Sequence, residues 1–226
     1  SELTPRNHES FFHACPLDLG ETLAESLWQS LESIVMTSAT LTVDGSFDWI
    51  LKETGMGLAG GSIQTLLVDS PFDYSKQMRS IIPAWFPDTS PRNQRAYVED
   101  LTELVVNISE TFDRGTLILF TSYGLLRQVY AALIERLDYH KTPLLAQGMD
   151  GSRHDILAKF KAAGNAILLG TDSFWEGVDV PGKALELLVV TKLPFAVPSE
   201  PMVQARAEAI EARGGNSFME QSVPEA

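Results

Sequence analysis

Between two apolar runs, Ala166–Leu169 and Leu185–Thr191, the sequence places Thr171, Asp172, Glu176, Gly177 and Asp179 in a short polar loop closed by Pro181-Gly182. These residue types suit a nucleotide or a sugar-phosphate chain. A hydroxyl donates to phosphate oxygens, a glycine lets the backbone come close, and a carboxylate accepts from ribose hydroxyls. The same residues also make an ordinary acidic turn. Two further segments are of the same kind: Thr121-Ser122 follows the run Leu117–Phe120, and Gln147-Gly148 follows Pro143–Ala146. Arg153 falls in the first turn of the next predicted helix and is the one cation placed to join them. Beside these groups stand Tyr123 and Trp175, able to stack on bases or to pack in a core; Trp175 reads as packing first. A fourth polar segment, Thr37-Ser38-Ala39-Thr40-Leu41, follows Ile34–Met36.

The elements that must carry these groups alternate. The pattern predicts a strand at Leu117–Phe120, a helix at Gly124–Leu137, a strand at Pro143–Ala146 and a helix at Ser152–Lys161, then the two apolar runs as buried strands. Arg95–Phe112 reads as a long amphipathic helix and Glu200–Arg213 as a final one. Strands alternating with helices of this length predict an α/β fold with a mainly parallel sheet. In such a sheet, ligands sit at the carboxyl ends of the strands, where all three loops would line up. Upstream, helices are expected at Glu21–Leu31 and Phe47–Glu53, the first capped by Thr22 with Glu25, the second by Asp44 or Ser46. Short strands are expected at Ile34–Met36, Gln64–Val68 and Arg79–Ile82, followed by a mobile loop around the prolines at 83, 87 and 91. Phe11, Phe12 and Leu17 are candidate anchors for the lead-in. His8 and His13 read as surface residues, and Cys15 as structural.

Composition narrows the classes. With 226 residues the chain can bury a core without staples. Its single cysteine leaves no disulfide framework or Cys-rich metal site, which fits a cytoplasmic setting. No run reaches membrane-spanning length. A formal net charge of −13 argues against a broad electrostatic grip on nucleic acid, so any such contact must be local. Neither a G-x-x-x-x-G-K-[ST] cradle nor a D-E-x-[HD] strand end is present. The chain by itself is therefore not expected to hydrolyse ATP.

The motifs taken together resemble a known family. GTDSFWEGVDVPG (170–182) is similar to motif V of superfamily 2 helicases, TSATL (37–41) to motif III, LILFTSYGLLRQVY (117–130) to motif IV and LAQGMDGSRHDILAKF (145–160) to the IVa segment. SFWEGVDVPG with KLPF (192–195) and SPFD (70–73) resembles the XPD/DinG-type DNA helicases, bacterial DinG-like members above all, from about Phe12 to the last residue. The resemblance implies a RecA-like three-layer fold, with helices on both faces of the sheet, and the role of a second motor domain spanning 1–226, with a lead-in to about residue 33 and an end before motif VI. The strand leading into TSATL is expected to pack with this domain rather than with the first.

It further implies an ATP-dependent 5′→3′ helicase in which single-stranded or forked DNA crosses two motor domains of one polypeptide and ATP lies between them. Gly177 and Asp179, with Glu176 beside them, match positions facing the nucleotide. Thr121, Ser122, Gln147, Gly148, Arg153 and Thr171 match the DNA side. Thr37, Ser38 and Thr40 match the motif that links the two sites. The magnesium ligands, the phosphate-stabilising arginines and any iron–sulfur cluster are expected outside this chain, which is read as a fragment inactive alone. Two other readings compete: a Rossmann-like nucleotide- or nucleotide-sugar-binding transferase domain using Asp172, Glu176 or Asp179 on a ribose, and an interaction module without a ligand.

Overall fold

The computed structural model describes residues 14–225. Phe11, Phe12, His8 and His13 lie outside the described residues. In chain order the helices are α1 (Gly20–Ser26), α2 (Asp48–Thr54), α3 (Tyr74–Gln77), α4 (Gln94–Thr111), α5 (Tyr123–Arg136), α6 (Arg153–Ala163), α7 (Pro201–Ala212) and α8 (Val223–Glu225). The strands are β1 (Thr116–Leu119), β2 (Leu144–Ala146), β3 (Ile167–Gly170) and β4 (Leu187–Val190). The chain falls into two compact units, one covering 79–194 and the other the segments on either side of it.

The unit 79–194 holds the sheet. Its four strands are all parallel, in the order β2-β3-β1-β4. Successive side chains of a strand point to opposite faces, and β1 sorts its residues accordingly. Ile118 and the following Phe120 pack with Leu101 and Val105 of α4 and Leu126 and Val129 of α5. Leu117 and Leu119 pack on the other face with Ile156 and Phe160 of α6. Helices therefore lie on both faces of a parallel sheet, the α/β architecture expected. The run Leu185–Thr191 is not the buried strand expected: its strand β4 is at the sheet edge and leaves Leu188 and Val190 exposed. Tyr97 ties α4 to the far edge by donating its hydroxyl to Thr191 O at 2.7 Å, and burial raises its pKa. Gly115, before β1, sits so close to another backbone segment that a Cβ would stand 1.7 Å from Ala184 O. Only glycine fits there.

In the other unit, the indole of Trp28 donates to Thr54 O at the end of α2 (2.6 Å). Arg206 of α7 donates to Leu17 O (3.1 Å) and pairs with Glu225 (3.2 Å), so the early and late parts of the chain meet within this unit. Leu17 itself is exposed, as is Cys15, whose Sγ lies 3.2 Å from Met202 Sδ.

Several expectations for the N-terminal third are corrected. The first helix ends at Ser26, and Trp28–Ser30 forms only a tight 3-10 turn. Its start carries no Thr22 cap; Asp18 Oδ1 accepts from Gly20 N instead (2.7 Å). At α2, Ser46 Oγ accepts from Asp48 N (3.0 Å). The strands expected at Ile34–Met36, Gln64–Val68 and Arg79–Ile82 do not form. Val35 is 86% exposed, Leu66 81% and Ile82 90%. A strand needs a neighbour to receive its backbone N–H and C=O groups, and among the described residues none of the three has one.

Candidate nucleic-acid and nucleotide interface

Strand register builds the rim. Leu119 stands opposite Gly170 on one side and Val190 on the other, and Ala146 stands opposite Leu169. β2 thus ends one residue short of β1 and β3, and Gln147, Thr171 and Thr121 follow the ends of three neighbouring strands, each stepped one residue beyond the last. With neighbouring strands about 4.8 Å apart, the three span roughly 10 Å.

At the β1 end, Ser122 caps α5 by accepting from Leu125 N (3.3 Å). Its hydroxyl proton remains for an outside acceptor. Thr121 is half-buried and has no side-chain partner among the described residues. Tyr123 is exposed, with its ring edge 3.6 Å from where a Cβ on Gly148 would stand. The amide groups opening α5 face the same rim with partial positive charge.

At the β2 end the turn is braced from below. Asp150 Oδ2 accepts from Ala146 N (2.7 Å), and Lys159 Nζ donates to Asp150 O (2.9 Å). Tyr130 lies nearby; burial and then the Asp150 charge raise its pKa. Ser152 and Asp155 form a reciprocal cap on α6, and the Ser152 hydrogen bond holds the Asp155 carboxyl below its usual range. Gly148 is exposed at this turn with φ +78°.

The β3 end is joined to the β2 end. Gln147 Oε1 accepts from both Thr171 N (2.7 Å) and Thr171 Oγ1 (3.0 Å), while Gln147 Nε2 donates to Ser173 Oγ (3.0 Å). Thr171 is only 1% exposed. Arg153 crosses to the same loop, donating to Ser173 O, Glu176 O and Gly177 O at 2.9–3.1 Å. Trp175 is half-buried against the α6-side core and donates its indole N–H to Phe120 O (3.2 Å), which matches the packing expectation. The rim therefore has groups with no side-chain partner or with a hydroxyl proton to spare (Thr121, Ser122), an exposed turn at Gly148, and groups already engaged within the protein (Gln147, Thr171 and the exposed Arg153).

Further along the loop, Glu176, Gly177 and Asp179 are exposed. Two exposed carboxylates with a glycine between them suit acceptance from ribose hydroxyls and repel a phosphate. Among the described residues no group of three His, Cys, Asp or Glu side chains could hold a metal ion, so no magnesium site is assigned to them. The lone Cys15 cannot supply the four thiolates of an iron–sulfur cluster. No helix among the described residues is long and apolar enough to cross a membrane. Thr37, Ser38 and Thr40 belong to the other unit, in an exposed turn where Ser38 Oγ meets Thr40 Oγ1 at 3.1 Å. Sequence reasoning did not single out Ser173, Asp150 or Lys159. Ser173 meets Gln147 and Arg153 across the fold, while Asp150 and Lys159 brace the turn through contacts four and nine residues along the chain.

A parallel sheet with helices on both faces, and polar loops gathered at the carboxyl ends of its strands, is an α/β fold consistent with a RecA-like helicase domain. Residues 105–226 match the model of the helicase C-terminal domain family, and the chain belongs to that family. It is 39% identical to the ATP-dependent helicase DinG of Mycobacterium tuberculosis, across 94% of this chain and 31% of that protein. Identity is 35% with the ATP-dependent DNA helicase DinG of Photobacterium profundum, across 100% of this chain and 32% of that protein. It is 36% with a Bacillus subtilis protein named 3′-5′ exonuclease DinG, across 95% and 23%. The chain thus spans less than a third of the length of these curated relatives. A solved structure of S. tokodaii Xpd4 overlaps 61% of this chain and 28% of that one, at 19% identity and a TM-score of 0.40.

Proposed function

We propose that this chain is the second motor domain of an ATP-dependent 5′→3′ DNA helicase of the DinG type, acting in the cytoplasm and inactive alone. The observation that carries this reading is the rim formed by the ends of three neighbouring strands, two of them cross-bonded through Gln147 and Thr171. Thr121, Ser122 and the backbone at Gly148 meet the sugar-phosphate chain of single-stranded or forked DNA directly. Hydroxyls and amides are the donors that position a nucleic-acid backbone without reading its sequence. They also suit a domain whose net charge excludes a broad basic surface. Gln147, Arg153 and Thr171 are engaged in bonds within the rim and set its shape.

Glu176, Gly177 and Asp179 form the ribose wall of an ATP site completed by a first motor domain of the same polypeptide. ATP supplies the free energy of the cycle. This chain's residues orient the sugar, while the phosphates, magnesium and any iron–sulfur cluster belong to the rest of the protein. Thr37, Ser38 and Thr40 match the family motif that couples nucleotide and DNA binding in the whole protein. ATPase assays test the reading. The 226-residue chain is expected to hydrolyse no ATP above background, and the polypeptide extended to the length of its relatives to show ATPase stimulated by single-stranded DNA. An extended protein whose ATPase ignores DNA contradicts it.

A further inference from the structure

Arg153 does more in this structure than its place at a helix start requires. A cation at a helix N-terminus opposes the helix dipole, yet Arg153 opens α6. Its guanidinium is turned across to the 171–179 loop. Nε donates to Ser173 O at 2.9 Å, and Nη2 donates to Glu176 O at 3.1 Å and to Gly177 O at 3.0 Å. The guanidinium carbon also lies 5.5 Å from the centre of the Phe174 ring. The carbonyls at the end of a single helical turn such as Asp172–Phe174 have no partner within it; the arginine takes that place. The loop bends around it. Gly177 has φ +65°, and a Cβ there would stand 3.5 Å from Nη2. Three carbonyls converging on one planar fork is a geometry that guanidinium satisfies and the point charge of a lysine does not.

We infer that Arg153 is a positioning residue that fixes the 173–179 loop, and through it the affinity for nucleotide, rather than a ligand of DNA phosphate. The effect on nucleotide rests on the helicase reading; the clamp on the loop rests on geometry alone. Two measurements on Arg153→Ala and Arg153→Lys separate them. The first is hydrogen exchange on the 226-residue chain, reporting on the amides of Phe174 (bonded to Thr171 O, 2.7 Å) and Thr171 (bonded to Gln147 Oε1, 2.7 Å). Both variants are expected to speed exchange there by about tenfold, the equivalent of one or two lost hydrogen bonds. Amides of β3 should stay protected, which also verifies folding.

The second uses the extended, DNA-stimulated protein. The KM for ATP is expected to rise by about tenfold in both variants, with the salt dependence of single-stranded DNA binding unchanged. Recovery of the KM by lysine, or a salt slope shallower by about 0.7, the value of one phosphate contact, overturns the proposal. So does unchanged exchange at Thr171 and Phe174. If the unsubstituted extended protein shows no DNA-stimulated ATPase, the helicase reading fails, and the exchange result still decides the clamp.

Discussion

Two stretches of this chain are alike in composition and opposites in structure. Leu117–Phe120 and the apolar part of Gln64–Val68, Leu66–Val68, are both short apolar runs free of glycine and proline. The first forms most of β1 and is buried throughout, with neighbours on both sides. The second is extended and exposed, with Leu67 at 58% and Val68 at 74%. Strand character is thus conferred by the neighbour that receives the backbone hydrogen bonds, not by the segment itself. Where βα alternation brings such neighbours together, the apolar run becomes core. Where no neighbour lies among the described residues, the same run stays a solvated ribbon.

Substitutions sharpen that contrast. The largest loss is expected in the sheet unit, from Phe160→Ala, which removes a fully buried ring of the α6-side core. Urea unfolding should show a loss of about 3–5 kcal/mol. Gly115→Ala tests the backbone packing of the same unit. The added Cβ must displace Ala184 O, with an expected cost of about 1–3 kcal/mol.

Tyr97→Phe removes one buried hydroxyl, that on Thr191 O, for about 1 kcal/mol. It also predicts a change at alkaline pH. The folded-state pKa of Tyr97 is raised by burial, so stability is fully present below the unfolded tyrosine value. It falls as pH rises from there through the folded value. The phenylalanine variant should show a smaller alkaline decline, the remainder coming from Tyr130, whose pKa is also raised. The smallest effect is expected from Leu66→Ala or Ile82→Ala, within about 0.5 kcal/mol. A loss of 2 kcal/mol or more at either, a value outside that range, breaks the comparison, because it requires a partner for the ribbon within this chain.

The same contrast explains what was legible in the sequence. The helix expected at Arg95–Phe112 appears as Gln94–Thr111, and the strands around the polar loops appear within a few residues of their expected places. There, amphipathic period, cap residues and apolar runs all agree. Ser122 and Ser152, standing just before α5 and α6, cap them by equally local hydrogen bonds. The strands at Ile34–Met36, Gln64–Val68 and Arg79–Ile82 were misread because an apolar run carries no record of its partner.

At the rim, the identity of the polar groups was legible but their direction was not. Whether Arg153 points outward or onto Ser173, Glu176 and Gly177 depends on how a loop twenty residues further on is folded. No spacing rule contains that information.

The most direct test of the rim as the DNA-binding edge is Ser122→Asp in the extended protein. Aspartate caps a helix start as well as serine does, so α5 and the thermal midpoint should be preserved while a negative charge enters the rim. The account predicts that affinity for single-stranded DNA falls by about tenfold, the scale of one close like-charge contact in water, with the KM for ATP unchanged. Undiminished DNA affinity in a stably folded variant would place the nucleic acid elsewhere.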